Sequence, residues 1–443
     1  MTGLNLTIHL ARSFWRVGIR HHKHLFRLRL LVGVLICLPL LGQNLDLLEH
    51  SNSVYHRSLG GAGIAVTGSI VDPLLNPASV TNINALQFTF SSTLSNHRYQ
   101  LVNERKEEAL TRIFKWQHSQ GDLNRILFSS PLTKRMGISL GYENRINPFL
   151  YNQRRALTWS PLFNQTTDGA IGAYLGAFGL DLSSSLAAGL SLLVYRGQIN
   201  SELHGENHGN DTEKWARVEH AFSGTGIKLG LQYHQARYGL GLTFEPRYSL
   251  AITSQASMSS DSLYDGLLPE NNESSFHFPM TVALGGAWRV HPGVTWVVDL
   301  IWQDFQASGW EPNLYEYGGS PQSGLLTSIR TGVEFGPNEK RPALRVGYAR
   351  LPQVYGSTIK TQAMGEIALV DNGNRVVRQV FSLGTSKAFA LGDLTLALEF
   401  GVLTWEGDLY TYITVEDHYT ERSIVLLVEW SFEPSRFRGR AGP

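Results

Sequence analysis

A glycine-rich phrase near the N-terminus is the first candidate for chemistry. Gly60, Gly61 and Gly63 lie within a short apolar stretch. Clustered glycines cradle a phosphate when a strand precedes them and a helix follows within a βαβ unit. Neither a strand pattern nor a βαβ unit surrounds this phrase, so a nucleotide site is not predicted. We expect instead that these glycines let the backbone pass close to a wall.

A rigid turn is predicted a short distance further on. Proline fixes its own φ and pushes the preceding residue into an extended conformation, so Asn76-Pro77 presets the chain direction. We interpret residues 43–85 as one segment that precedes the first strand.

Charged residues recur on one face of the predicted strands. Successive residues of a strand point to opposite faces, so each of these charges lies opposite a row of large apolar side chains. Both signs are present, and the charges either form ion pairs that fill a wet interior or guide a substrate through it. The predicted inward-facing charges are Glu143, Lys228, Arg237, Glu245, Asp299, Arg330, Glu334, Arg345, Glu399 and Glu429.

Hydrolase chemistry is not predicted, although serine, histidine and acidic residues are plentiful. A nucleophile and its base need a fixed mutual geometry. His204 and His208 lie in a polar segment, 200–217, that we interpret as a loop. The histidines at positions 21, 22 and 24 belong to the N-terminal signal described below. We therefore predict that the chain is not an enzyme and has no catalytic residue, metal ligand or cofactor.

The elements that would position these residues are strands with period-two alternation. In Val294–Gln303, Trp296 and Leu300 lie on one side while Asp299 lies on the other. The segments 394–402 and 423–432 alternate in the same way. Alternation of this kind is typical of a soluble sandwich with one wet face, and equally of a barrel whose apolar face contacts lipid.

The N-terminus carries the pattern of a secretory signal. Residues 1–42 contain six Arg or Lys and no acidic residue, and they end in an apolar run of about 12 residues, 30–41. That run is shorter than the roughly 20 residues that a membrane-spanning helix needs. Removing this segment changes the net charge from +1 to −5, which argues against nucleic acid as a partner. The one cysteine, Cys37, lies inside the signal, so the exported chain forms no disulfide.

The connections between predicted strands alternate between short turns and long polar loops. Short connections occur around residues 133–135, 234–236, 291–293, 338–341 and 391–393, with long polar segments between them. Outer-membrane barrels have tight periplasmic turns and long outer loops, whereas a sandwich does not sort its loops by length. We therefore predict an all-β protein, a transmembrane antiparallel β-barrel of about 14 strands over residues 86–432, with a tail at 433–443.

One of the long polar segments has helical spacing of its own. Within Glu104–Trp116, apolar residues recur at 109, 110, 113 and 114 behind a charged stretch. This spacing predicts a short amphipathic helix near the barrel mouth.

The segment before the first strand resembles the FadL-type superfamily of long-chain fatty-acid transporters, which includes the PorV-like proteins of type IX secretion. The similar residues are Gly60, Gly61, Ala62, Gly63, Ala65 and Val66, then Asp72, Asn76, Pro77 and Ala78; a second similar phrase is residues 278–288. The resemblance implies a 14-strand outer-membrane barrel in which residues 43–85 form a hatch inside the barrel. The gating residues that it implies are Gly60, Gly61, Gly63, Asp72, Asn76, Pro77 and Ala78. The family usually ends on an aromatic residue, whereas here Phe432 is followed by a further eleven residues.

Two functions are consistent with this resemblance. The first is an outer-membrane channel for passive uptake of hydrophobic small molecules such as long-chain fatty acids. The second is a PorV-like component of type IX secretion or surface attachment that binds exported proteins through its long loops. Either function places the chain in the cell outer membrane of a diderm bacterium, with outer-membrane lipid and the barrel assembly machinery as partners.

Overall fold

Strands make up nearly all of the described residues after residue 86, because the period-two alternation continues from one segment to the next. The computed structural model describes residues 52–68, 71–105, 110–146, 150–155, 162–206, 214–258, 273–305, 320–321, 324–336, 342–363, 366–389, 392–407 and 416–434. The predicted signal, the start of the hatch segment and most of the predicted tail lie outside these residues.

The described residues form fourteen strands, of which four consist of two segments each. They are β1 (Gln87–Arg105), β2 (Leu110–Thr133), β3 (Met136–Ile146 and Leu150–Arg155), β4 (Leu162–Asp181), β5 (Leu186–Glu206), β6 (Lys214–His234), β7 (Tyr238–Glu245 and Tyr248–Met258), β8 (Glu273–Phe278 and Met280–His291), β9 (Val294–Asp304), β10 (Ser320–Pro321 and Leu325–Phe335), β11 (Ala343–Ala363), β12 (Glu366–Phe389), β13 (Gly392–Gly407) and β14 (Glu416–Phe432).

Pairing between neighbouring strands closes the sheet into a barrel. Each strand pairs antiparallel with the next, and β14 returns to pair with β1 from Phe88↔Phe432 to Glu104↔Glu416. Closure leaves no free sheet edge along this pair, which is what a strand protein in lipid requires. The prediction of a transmembrane antiparallel barrel with an even number of strands, about 14, is confirmed.

The connections do not sort by length as cleanly as predicted, because four residues separate β1 from β2 and only two separate β11 from β12 at the end where long loops were expected. The turns from β2 to β3, from β4 to β5, from β6 to β7 and from β8 to β9 each contain four residues or fewer between strands, and they lie at the same end of the barrel as Gln87 and Phe432. We call this the short-turn end and the opposite one the long-strand end. The short turn at residues 182–185 was not among the predicted connections.

The two faces of the wall differ as the alternation predicted. In β9, Val297, Asp299 and Ile301 are buried inside the barrel, whereas Trp296 is 44% exposed on the outside. The segments of β13 and β14 singled out above alternate in the same way. Large apolar side chains on the outside and charges on the inside are the arrangement of a barrel in a bilayer.

Two adjacent strands break side by side at prolines. Pro246 separates the two segments of β7, and Pro279 separates those of β8. The paired residues on either side of the breaks are Glu245↔Thr281 and Tyr248↔Phe278. Because proline has no N–H to donate to the ladder, the hydrogen-bond register stops and restarts at these positions.

The long connections are shorter than the sequence predicted, because the strands continue through much of the polar sequence. The helix predicted within Glu104–Trp116 is wrong: β1 continues to Arg105 and β2 starts at Leu110, paired as Arg105↔Leu110. Likewise β5 continues to Glu206 and therefore includes His204, which was assigned to a loop. Cross-strand pairing supplies hydrogen bonds to every second residue on each side, which outweighs weak local helical spacing.

The described residues before the barrel contain two short helices: α1 (Val54–Arg57) and a 3-10 helix (Pro77–Asn82). Among the described residues, none of the helices is long and apolar enough to cross a membrane. Both helices belong to the hatch, by which we mean the described residues 52–68 and 71–86. Most of its apolar side chains are buried, Leu59, Ile64 and Val80 among them.

Candidate functional site

The hatch lies inside the barrel and follows the wall from strand to strand. Arg57 binds Glu399 of β13, and the amide of Gly60 donates to Ser382 of β12 over 3.0 Å. The chain next reaches β9, where the amides of Gly63 and Ile64 donate to Asp299 over 2.7 and 3.1 Å. After residue 71 it continues along β6, β5, β4 and β3. The hatch therefore contacts nearly the whole circumference of the wall.

Inward-facing glycines make this close approach possible. At each of them an added Cβ would overlap a hatch residue, so the wall has a groove where the hatch backbone passes. These glycines all lie within a few residues of the short-turn end, which places the hatch at that end. They are Gly137, Gly179, Gly189, Gly230, Gly239, Gly241, Gly285, Gly332, Gly347 and Gly384.

We expect Gly347→Ala to destabilise the packing of the hatch. A Cβ at Gly347 would overlap the backbone nitrogen of Gly60. Gly60 has φ of 71° and packs against the backbone of Tyr348, so little space is left into which it could move. Overpacking of this kind costs about 1–3 kcal/mol. The measurement is the urea concentration at which a protease begins to cut the hatch.

The matched control for that substitution is Gly286→Ala. Gly286 lies on β8, where the nearest atom to an added Cβ is 4.0 Å away. If both variants release the hatch at the same urea concentration as the wild-type protein, the close packing at Gly347 contributes no stability.

The turn at Asn76 is held by its own side chain. Asn76 Oδ1 accepts from the amide of Ala78 over 3.0 Å, and Pro77 occupies the first turn of the 3-10 helix. Asn76 Nδ2 donates to Ile64 O over 2.8 Å and to Leu231 O of β6 over 3.1 Å. Asn76 thus joins two parts of the hatch to the wall, and its extended backbone is the conformation that a following proline favours.

A buried arginine connects the hatch to three strands. Arg125 of β2 is 0% exposed, and its Nε lies 3.2 Å from Glu143 Oε1 on β3. Its Nη1 lies 3.9 Å from Asp72 Oδ2 in the hatch and 4.0 Å from Glu429 Oε2 on β14. Its Nη2 donates to the carbonyl of Val71. We call Arg125, Asp72, Glu143, Glu429 and His56 the Arg125 cluster.

The carboxylates of this cluster also hold the start of the hatch. His56 Nδ1 lies 3.2 Å from Asp72 Oδ2, and the amide of Val54 donates to Glu429 over 3.3 Å. Asn52 Nδ2 donates to the carbonyl of Asn144 over 2.6 Å. Removing charges from water is costly unless they are paired, so this cluster persists only while all its members stay together.

The sequence analysis missed Arg125 because a β-bulge interrupts the alternation there. The register between β1 and β2 shifts between Ser91 and Ser92, so Asn124 and Arg125 are buried in succession. A bulge places two residues of one strand opposite one residue of its partner. Period-two counting that starts at the short-turn end of β2 would have found Arg125, since Leu127 and Ser129 are buried on the same face.

The predicted inward-facing charges fall into three groups. Asp299, Glu399, Glu143, Glu429 and Arg330 contact the hatch, Arg330 through Nη1 to Gly61 O at 3.4 Å. Lys228 with Glu245, at 3.5 Å, and Arg345 with Glu334, at 2.6 Å, form ion pairs along the wall. Arg237 differs from the prediction, because it is exposed in the turn between β6 and β7.

Arg345 also packs against the hatch. Its guanidinium carbon lies 4.0 Å from the centre of the Tyr55 ring. Burial, and then the nearby Glu334 carboxylate, raise the pKa of the Tyr55 hydroxyl, so this side chain stays neutral. A neutral ring under a cation is a stabilising pair where water is excluded.

One side of the barrel interior is apolar. Buried side chains of β4, β5 and β7 pack on Val71, Leu74, Val80 and Ile83 of the hatch. Tyr195, Tyr248 and Phe278 stack with ring centres 4.8 to 6.0 Å apart. We call the wall residues of this surface the apolar patch: Leu127, Ile171, Ala173, Leu175, Ala177, Leu193, Tyr195, Ile199, Phe222, Tyr248, Leu250, Ile252 and Phe278.

The pairing between β2 and β3 stops partway along the wall. The last paired residues are Arg125↔Glu143. Toward the long-strand end, the described residues of β2 pair with β1 alone, and those of β3 pair with β4 alone. We call this unpaired part of the wall the β2–β3 seam. It begins beside Ile171, which pairs with Ile146 in the β3–β4 ladder. It is an interruption in the wall next to the apolar patch.

No protein-family model matches the sequence, and no curated protein sequence matches it. Solved structures do match. A crystal structure of a Pseudomonas aeruginosa FadL homologue has a TM-score of 0.58 at 10% identity, covering 89% of this chain and all of that one. The toluene transporter TodX of P. putida has a TM-score of 0.57 at 14% identity, covering 85% and 97%.

A third solved structure, the CymD monoaromatic hydrocarbon channel, has a TM-score of 0.51 at 12% identity and covers 88% of this chain and 99% of that one. At these identities the likeness concerns the fold. A closed 14-strand antiparallel barrel with the N-terminal hatch inside it is the fold of the FadL-type outer-membrane transporters, and this chain has that fold.

Proposed function

We propose that this protein is an outer-membrane channel for passive uptake of hydrophobic small molecules, long-chain fatty acids among them. The apolar patch is the observation that carries the proposal. The interior of a barrel that conducts water and polar solutes is polar, whereas here β4 to β8 turn aromatic and aliphatic side chains inward. Such a surface lowers the free energy of an apolar solute inside the barrel.

The layout of the interior supports entry from the long-strand end. The hatch occupies the short-turn end, where the wall glycines receive it. A molecule that enters from the long-strand end meets partly buried residues of the apolar patch, such as Phe222 and Ile252, before it meets the hatch. The β2–β3 seam then offers a sideways route at the level of the Arg125 cluster, and a shift of the hatch offers a route along the axis.

The solutes of two matched proteins agree with this class. Two of the three solved structures described above are a toluene transporter and a monoaromatic hydrocarbon channel. By analogy of fold, a hydrophobic substrate of modest size suits the present chain. The same analogy supports the cell outer membrane of a diderm bacterium as its location.

Phe222→Glu tests the role of the apolar patch. Phe222 is half-buried at the edge of the patch, so a polar replacement there can still reach water during folding. A carboxylate at this position would place a charge beside the apolar ligand and weaken its binding. A loss of about 1.4 kcal/mol lowers a binding constant tenfold. We expect uptake of a radiolabelled long-chain fatty acid into proteoliposomes to fall by about tenfold or more.

Phe222→Leu is the matched control and should retain most of the uptake, because it keeps an apolar surface at the same position. Both variants are compared at equal amounts of folded barrel, judged by faster migration of the unheated sample in a denaturing gel. Equal uptake by the wild-type protein and Phe222→Glu would contradict the channel proposal. It would favour the alternative, a surface component that binds exported proteins.

A further inference from the structure

A polar cleft lies on the side of the barrel interior away from the apolar patch. Arg57 and Gly60 of the hatch form one side of it, and Arg378, Glu399 and Ser423 of β12, β13 and β14 form the other. The cavity volume of the cleft is about 40 Å³, enough for a few water-sized groups. His97 of β1 also lines it and is 1% exposed.

The charged side chains of the cleft neutralise one another. Arg57 Nε donates to Glu399 Oε1 over 2.9 Å. Arg378 Nη2 donates to both oxygens of Glu421, over 3.1 and 3.0 Å. These two cations and two anions sum to zero, so the cleft offers no net attraction to an ionised headgroup.

His97 is a polar group of the cleft whose second ring nitrogen makes no hydrogen bond to the described residues. Its Nδ1 lies 3.0 Å from Glu421 Oε1, and its ring stacks on Tyr99. A carboxylate only accepts hydrogen bonds, so Nδ1 carries the proton and donates it to Glu421. In the neutral imidazole the other nitrogen, Nε2, then presents a lone pair.

That lone pair is buried without a hydrogen-bond partner within the part of the chain that the structure describes. A buried acceptor left unpaired costs free energy, which a donor placed in the cleft would recover. The donor has to be neutral, since the cleft is already balanced in charge. It also has to belong to a molecule that an apolar lumen admits.

We propose that this cleft binds the hydroxyl group of a hydrophobic alcohol or phenol, with His97 Nε2 as the hydrogen-bond acceptor. The inference rests on the proposed uptake of hydrophobic molecules and narrows their class. The apolar part of the molecule contacts the interior, and its hydroxyl donates to Nε2. The ion pair between Arg378 and Glu421 holds the imidazole in the required tautomer.

Titration calorimetry with three matched probes tests the proposal: 4-propylphenol, propylbenzene and the 4-propylbenzoate ion. Each is titrated into the folded full-length protein in detergent, with protein-free micelles as the blank. We expect 4-propylphenol to bind the wild-type protein more tightly than either of the other two. One buried hydrogen bond corresponds to a preference of about 3- to 10-fold over propylbenzene.

His97→Phe should abolish that preference and leave propylbenzene binding within about twofold of the wild-type value. Arg378 still binds Glu421 in this variant, so no carboxylate is left unpaired. His97→Gln keeps an amide oxygen as acceptor and should retain part of the preference. If His97→Phe does not fold, this variant still tests the site. His291→Phe, at the exposed end of β8, is the matched control.

The outcomes separate the two proposals. Equal binding of 4-propylphenol and propylbenzene to the wild-type protein would overturn the hydroxyl site alone, as would a preference that survives in His97→Phe. Tighter binding of the benzoate would also overturn it. Failure of all three probes to bind would overturn the hydroxyl site and count against uptake of hydrophobic molecules as well.

Discussion

Arg125→Met is expected to release the hatch from the wall while the barrel stays closed. The substitution leaves Asp72, Glu143 and Glu429 buried near one another without the cation that they share. Removing one member of a buried ion pair typically costs about 3–5 kcal/mol. The strand ladders do not depend on Arg125, so the barrel should still migrate faster unheated than boiled. The measurement is cutting of the hatch by a protease added to proteoliposomes.

Arg237→Met is the matched control, since it makes the same change in an exposed turn. Its hatch should resist the protease as well as that of the wild-type protein. Equal resistance of the Arg125→Met hatch would mean that the backbone contacts with the wall glycines alone hold the segment. Loss of the heat-dependent shift would instead assign Arg125 to the barrel itself.

Leu300→Arg is expected to impair assembly of the whole barrel. Leu300 lies on β9 between the outward-facing residues Val298 and Trp302, and it pairs with Leu284 of β8. An arginine on the lipid face near the middle of a bilayer costs about 2–4 kcal/mol. We expect a lower yield of folded barrel and a lower midpoint in urea when folding into lipid vesicles is followed.

Leu300→Phe is the control, because it keeps the position apolar, and its yield should be close to that of the wild-type protein. Identical yields from the arginine and phenylalanine variants would contradict the lipid-facing assignment. Alternation alone suggests that Asp299→Arg, one residue away and facing inward, is harmless. The structure predicts otherwise, because Asp299 accepts hydrogen bonds from the amides of Gly63 and Ile64.

The strands could be predicted from the sequence because their pattern is local and repeated. Each side chain of β9 belongs to one of two environments, lipid or interior, so ten residues already show the division between Leu300 and Asp299. The short turns between such segments are also marked by local sequence. This information sufficed for the barrel and its approximate strand number, but local spacing failed at Glu104–Trp116, where pairing with the neighbouring strand decides the conformation.

The sequence by itself determined the barrel, its lipid face and the presence of a glycine-rich segment before the first strand. Only the tertiary structure decided what that segment touches, because its partners lie far along the chain. Gly60 meets Gly347, and Asp72 meets Arg125 beside Glu429. Nothing in the local sequence around Gly60 or Gly347 indicates that these two glycines contact each other. Contacts between residues hundreds of positions apart are fixed by closure of the barrel, which brings β14 back to β1 and places the hatch inside.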